Sequence, residues 1–169
     1  MMKKMKKILC LLFAAMCLLA VVSCEKENDE ATAAFAVFSY NGVQIPLGAE
    51  AAPILTALGG SPKVATTASC YGDDFDRIYE YTSFQVETYT RDGAEYVMKI
   101  SVINDIDVNA QTPEGIRIGS GREDVEAAYG TPTEVSDAAM VYLNRAGGAK
   151  LQILLRNGAV SGIQYLLLS

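Results

Sequence analysis

The chain has 169 residues, with 14 Lys and Arg, 20 Asp and Glu, no His, and a formal net charge of −6. The absence of His excludes Ser-His-Asp and Cys-His catalysis, as well as metal sites built on His ligands. Phosphate binding depends on Lys and Arg, so a chain this acidic is a poor partner for nucleic acid.

The first 23 residues have the composition of an export signal. A basic segment, residues 1–7, precedes a continuous apolar run, residues 8–22, which is shorter than the roughly 20 apolar residues that span a bilayer. The run ends in Val-Val-Ser-Cys, which resembles a bacterial lipobox. We therefore predict a lipoprotein signal peptide over residues 1–23 and lipid attachment at Cys24.

Residues 24–34 are charged and then alanine-rich, without any aromatic side chain. Such a segment buries too little apolar surface to fold, so it is interpreted as an acidic, flexible tether. The acidic run after Cys24 also resembles the signal that sends some outer-membrane lipoproteins to the cell surface. We therefore expect an extracytoplasmic protein that is lipid-anchored to a bacterial membrane, with the outer membrane favoured. Either its periplasmic side or the cell surface remains open.

Cleavage before Cys24 removes Cys10 and Cys17, and the lipid occupies Cys24. Cys70 is then the single free thiol, which excludes an intramolecular disulfide. Cys70 is either a buried apolar residue or a thiol for an intermolecular bond, and burial is favoured. Residues 105–109 begin like a calcium loop, but Ala110 stands where the loop needs Gly. The carboxylates within residues 73–76 hold a cation only weakly at best. No metal and no cofactor are predicted.

Two segments align without gaps, residues 44–59 over residues 115–130. They share apolar spacing, a central Gly and a closing Gly followed by Pro. The alignment predicts two tandem repeats, a first α+β repeat over residues 35–110 and a second over residues 111–169.

Each repeat is expected to begin with a short strand that ends at Gly48 or Gly119 and is followed by a short helix. Ser120 has the spacing of an N-cap residue for the second helix. The apolar alternation that predicts these strands comes from a pair of residues in each repeat: Ile45 and Leu47, and Ile116 and Ile118.

Further strands are predicted from aromatic and β-branched residues and from two-residue turns of the Asn-Gly or Asp-Gly type. The segments are 40–43 as a hairpin, 76–82, 84–91 paired with 95–103, 139–145, and 151–156 paired with 159–168. The predicted fold class is therefore α+β, with the helices on one face of a shared antiparallel sheet.

Alternation along these strands separates two faces of the sheet. The side expected to meet the helices carries Phe84, Val86, Thr88, Met98, Ile100, Val102, Leu151, Ile153, Leu155, Ile163 and Tyr165. The opposite side is polar, with Arg91, Ser101 and Arg156 among its residues. The candidate binding face on that side consists of Gln85, Glu87, Tyr89, Lys99, Gln152 and Gln164.

The repeated Gly-helix-Gly-Pro element, residues 48–62 and 119–132, and the hairpins that follow it resemble the β-lactamase-inhibitor-protein-like group, which includes the SmpA/OmlA small outer-membrane lipoproteins. The resemblance implies a protein-binding role and no catalysis. The inhibitors carry disulfides that this chain cannot form after processing, and no inhibitory loop residues match, so β-lactamase inhibition is not implied.

Three functions remain open at this stage. The leading hypothesis is a lipid-anchored, non-catalytic module that binds a protein through the polar face of the sheet. The first alternative is a surface receptor for a small molecule or a glycan. The second is a hydrolase that uses paired carboxylates from a group near residue 75, namely Asp73, Asp74, Asp76 and Glu80.

Overall fold

The computed structural model describes residues 36–69 and 75–168. They belong to the second of the two units into which the chain divides, Ala31–Ser169. The predictions for the signal peptide, Cys24, the tether, Cys70, Asp73 and Asp74 lie outside the described residues.

The described residues form ten strands and two helices. The strands are β1 (Val37–Tyr40), β2 (Val43–Pro46), β3 (Lys63–Ala68), β4 (Phe75–Glu80), β5 (Phe84–Arg91), β6 (Ala94–Val102), β7 (Glu134–Val135), β8 (Ala139–Asn144), β9 (Ala149–Arg156) and β10 (Ala159–Leu167). The helices are α1 (Ala51–Leu58) and α2 (Arg122–Tyr129). β1 and β2 form a small sheet of their own. The other eight strands form one antiparallel sheet in the order β3-β4-β5-β6-β10-β9-β8-β7.

Three of the hairpins turn on two residues with positive φ. The first turn residue has a φ of 50° at Asn41, 54° at Asp92 and 53° at Asn157, and a Gly with φ near 80° follows each one. This is the type I′ geometry that Asn-Gly and Asp-Gly favour, because its twist matches that of the strands. The hairpins predicted at these turns are confirmed.

One hydrophobic core lies between the large sheet and the helices. Ala51 and Ile54 of α1 and Val125 of α2 are buried in the same cluster as Phe38 of β1 and the core side chains of the large sheet. Both helices and the β1–β2 hairpin therefore cover the same face of that sheet.

Backbone hydrogen bonds fix where each helix begins. Gly48 N donates to Val97 O over 2.7 Å, and Val97 N donates to Ala49 O over 2.9 Å, so the segment before α1 is joined to β6. Gly119 and Ser120 form the equivalent pair of bonds with Val160 of β10, each 2.8 Å long.

The caps of α2 differ in part from the prediction. The N-cap residue is Gly121, and Asp124 Oδ2 accepts a hydrogen bond from its backbone N–H over 2.8 Å. Ser120 instead accepts a bond from Arg117 N, so its predicted capping role is wrong. The helices end at Gly59 and Gly130, the closing glycines of the two aligned segments.

The predicted fold class, α+β with two tandem repeats, is wrong, because the described residues form mostly antiparallel sheet. About 50% of the described residues are in strands and only 13% are in the two short helices, and the elements do not follow a helix-plus-strand repeat. The aligned segments also differ in structure, because residues 43–46 form β2 while Ile116 and Ile118 lie in irregular chain. Ile116 is held instead by Thr112, whose backbone N–H donates to Ile116 O and whose hydroxyl accepts from Ile116 N. Apolar alternation without a neighbouring strand to pair with does not form a strand.

Candidate functional site

The six residues of the predicted binding face all lie on the side of the sheet opposite the helices, which we call the open face. Their neighbours in sequence, such as Val86, Ile100 and Ile163, are buried in the core. The six side chains are half-buried and belong to four strands: Gln85, Glu87 and Tyr89 on β5, Lys99 on β6, Gln152 on β9 and Gln164 on β10.

Three of these residues form a row with Ser101 across four adjacent strands. Gln85 lies opposite Ser101, Ser101 opposite Gln164, and Gln164 opposite Gln152. Neighbouring strands are about 4.8 Å apart, so the row spans roughly 14 Å. We call it the glutamine row.

The polar groups of the glutamine row are not used by the fold. Ser101 is only 4% exposed, and its hydroxyl is buried without a hydrogen-bond partner among the described residues. Within the same part of the chain, none of the three glutamine amides makes a side-chain hydrogen bond to the protein. Buried hydroxyls normally have a partner, so this row has unused hydrogen-bonding capacity.

A charged pair lies beside the glutamine row. Lys99 is directly opposite Glu87, and Lys99 Nζ donates to Glu87 Oε1 over 2.7 Å. The side chains are 23% and 19% exposed, so this ion pair is better shielded from water than a typical surface pair. On its other side Lys99 lies opposite Leu166 of β10, which brings an apolar side chain onto the open face.

A β-bulge breaks the alternation of β6. Glu87 is paired with Lys99, but the next residue, Thr88, is paired with Val97, so Met98 is the extra residue. Val97 is buried in the core. Met98 is half-buried and lines the open face beside Lys99, so its predicted place in the core is wrong.

A pocket of about 350 Å³ lies on the open face next to this bulge. It is lined by Tyr89, Thr90, Arg91, Met98, Lys99, Leu166 and Leu167. The apolar surface on this face comes from Met98 and Leu166, whereas the two charged side chains of the lining are both cations. We call it the open-face pocket.

Aromatic contacts shape one end of the open-face pocket. The rings of Tyr89 and Tyr96 lie opposite each other with centroids 5.7 Å apart. The guanidinium carbon of Arg91 is 4.8 Å from the centre of the Tyr96 ring, within the range of a cation–π contact. Arg91 makes no hydrogen bond or ion pair among the described residues, so its donors are available to a ligand.

The structure therefore brings Tyr89 and Lys99 to one pocket and the three glutamines to one row. Sequence reasoning placed Arg91 on the polar face without including it in the site, and it did not place Met98 or Leu166 there. The periodicity of β10 contained a signal for Leu166, because it is two residues beyond Gln164 on the same face.

A second polar cluster lies on the opposite, helix-covered face. Glu95 accepts hydrogen bonds from Arg77 Nη1 at 2.6 Å, Tyr79 hydroxyl at 2.8 Å and Thr88 hydroxyl at 2.9 Å. Burial, and then the hydrogen bond to Glu95, raises the pKa of Tyr79 to about 12. A carboxylate with three donors is held in place by the fold.

Of the four carboxylates proposed for hydrolysis, the structure describes two, Asp76 and Glu80, and these two do not form a catalytic pair. Asp76 and Glu80 are four residues apart on β4, which separates them by about 13 Å along the strand. Glycosidase carboxylates lie roughly 5 to 10 Å apart. Asp76 and Glu80 are therefore too distant to act on one bond.

The calcium-like segment is a connector with internal hydrogen bonds. Asp107 accepts the hydroxyl of Tyr40 and, over 2.9 Å, the backbone N–H of Asn109. These bonds, that of Tyr40 first, hold the pKa of the Asp107 carboxyl below its usual range. The described residues contain no group of three side chains able to hold a metal ion.

Neither helix in the described ranges is long and apolar enough to cross a membrane. No protein-family model, curated protein or solved structure matches the chain. The resemblance to the β-lactamase-inhibitor-protein-like group and its SmpA/OmlA members stays a prediction.

Proposed function

We propose that the protein is a lipid-anchored, extracytoplasmic, non-catalytic binding module, and that it binds a protein partner through the open face. The observation that carries the proposal is the combination of the open-face pocket with the glutamine row. The pocket can take an apolar side chain of a partner, and the row can hydrogen-bond to the partner's backbone.

The size of the site favours a macromolecule over a free small molecule. Ligand pockets usually measure about 300 to 1,000 Å³, so 350 Å³ lies near the lower limit. The glutamine row runs beside the pocket and extends one strand beyond it, to Gln152 of β9. An apolar anchor with a polar surround is the usual arrangement of a protein interface.

Site-specific cross-linking in cells tests this proposal. A photoreactive amino acid at Gln152 or Gln164 should give one discrete adduct with another protein, because both positions lie in the proposed interface. The same amino acid at Glu123, on the exposed side of α2, is the matched control and should give none.

A second variant links the adduct to the pocket. Tyr89→Ala removes one side of the pocket and should abolish the adduct formed from Gln152 without lowering the amount of protein. Binding through this face would be contradicted if position 123 gave adducts as strong as those from positions 152 and 164. It would also be contradicted if the adduct from Gln152 persisted in Tyr89→Ala.

The anchor has its own test. Replacing Cys24 by Ala should remove the mass of the attached lipid and release the protein from the membrane fraction. Retention of Cys24→Ala in that fraction with unchanged mobility would contradict lipid attachment at this residue.

The pocket also supports a second candidate, a receptor for a small anionic ligand with an apolar body. Arg91 and Lys99 supply positive charge, and Met98 and Leu166 supply apolar surface. An increase in melting temperature with such ligands, lost in Arg91→Ala, would favour this candidate over a protein partner.

A further inference from the structure

Strand β3 is an unprotected edge of the large sheet. Its six residues pair with β4 alone among the described strands, and all six are exposed. Half of its backbone N–H and C=O groups therefore face away from β4, where no other described strand lies. Such an edge is a template for another strand.

The opposite edge of the same sheet is protected. Strand β7 has only two residues, one of them Glu134, and Arg122 Nη2 donates to the backbone oxygen of Ser136 beside it over 2.8 Å. Short length and charge are the usual ways of blocking an edge. β3 is longer, at six residues, and its one charged side chain, Lys63, lies at its first position, so residues 64–68 contain no charge and no Pro.

We propose that β3 pairs with β3 of a second copy of this chain, antiparallel about a two-fold axis, so that the two sheets join into one. The axis is perpendicular to the sheet, and each face of one copy therefore continues into the same face of the other. Directly paired residues must lie on the same face. The pairing centred on Thr66 satisfies this condition.

This register places Thr66 opposite Thr66 of the second copy, a favourable cross-strand pair. Val64 then lies opposite Ala68, and Ala65 opposite Thr67. In these pairs no charge faces a like charge.

The same register completes an apolar row. Within one copy Phe75 lies opposite Ala68, and Val64 lies opposite Tyr79. Joining Ala68 to Val64 of the second copy gives a continuous row of Phe75, Ala68, Val64 and Tyr79 across the junction. Phe75 is 57% exposed and Val64 is 54% exposed, so the pairing covers Val64 and brings it into one apolar row with Phe75 of the other copy.

The charges near the junction are compatible with self-pairing. The two Lys63 residues would be six positions apart, about 20 Å, which exceeds the Debye length of about 8 Å. The two Arg77 side chains would be separated by three strand spacings, about 14 Å, and each is paired with its own Glu95. Asp76 lies on the other face of the sheet from Arg77.

The test uses two differently tagged full-length copies co-expressed and purified in mild detergent. The wild-type copies should co-purify. Thr66→Lys in both copies puts two cations opposite each other and should reduce co-purification at least about tenfold. Co-expression of one Thr66→Lys copy with one Thr66→Glu copy should restore co-purification, because opposite charges then face each other.

The control is Thr56→Lys in both copies, since Thr56 is exposed on α1, away from the edge; its co-purification should equal that of wild type. Circular dichroism of each variant checks folding. The proposal is overturned if wild-type copies do not co-purify, if the double Thr66→Lys pair co-purifies as wild type does, or if the Lys and Glu variants do not restore it.

Discussion

Glu95 is predicted to be a structural carboxylate whose removal destabilises the protein. In Glu95→Ala, the hydroxyls of Tyr79 and Thr88 lose their acceptor and Arg77 loses its ion pair. Thr88 is fully buried and keeps only a 3.4 Å contact with Arg77 O. We therefore expect a substantial fall in the free energy of unfolding.

The magnitude follows from the separate contacts. A hydrogen bond to a charged group contributes about 1.5 kcal/mol at the lower end of its range, which gives about 3 kcal/mol for the two hydroxyls. Arg77 and Glu95 are 38% and 24% exposed, so solvent screening limits their ion pair to about 0.5 kcal/mol. The expected loss is therefore about 3.5 kcal/mol.

Urea unfolding followed by circular dichroism measures this loss, with Glu123→Ala on the exposed side of α2 as control. Titration of tyrosinate absorbance gives a second readout. The pKa of Tyr79 should fall in Glu95→Ala but stay above its ordinary value, because burial is the larger cause of its shift. A loss of stability below about 1 kcal/mol would refute a structural role for Glu95.

Two further predictions concern pH and backbone strain. Burial is the largest cause that raises the pKa of Tyr79 and of Tyr142 to about 12, from an ordinary value of 10.0. Between these values the unfolded chain loses protons that the folded chain keeps, so the free energy of unfolding should fall as pH rises from 10 to 12. Urea unfolding at several pH values measures this fall, and a free energy that does not change with pH would contradict the prediction. Gly119 has a φ of 92°, and an added Cβ would meet no atom within 4 Å. Gly119→Ala should therefore cost about 1–2 kcal/mol through backbone strain alone, and unchanged stability in urea would show that the segment relaxes.

The parts of the fold set by local chemistry could be predicted from the sequence. Asn-Gly and Asp-Gly turns locate three hairpins, because few other residue pairs adopt two successive positive φ angles. Strict alternation in β5 and β9 separates core from open face without error. Both signals depend only on residues that are neighbours in the sequence, so they do not require knowledge of the tertiary structure.

The parts set by pairing with distant chain could not be predicted. Ile116 and Ile118 have the alternation of a strand but no partner strand, and they remain irregular. Strand β3 has weak alternation and was missed, because β4 supplies the partner that makes it a strand. The tandem repeat was inferred from matched glycines and apolar spacing, which do not specify strand pairing.

The open-face pocket depends on the feature that alternation is least able to predict. A regular β6 would place Met98 in the core and leave Lys99 without an adjacent apolar residue of β6 on the open face. The bulge instead places Met98 and Lys99 side by side on that face, next to Leu166. The apolar surface needed to anchor a partner therefore comes from a break in the pattern, and the polar groups around it come from the pattern itself.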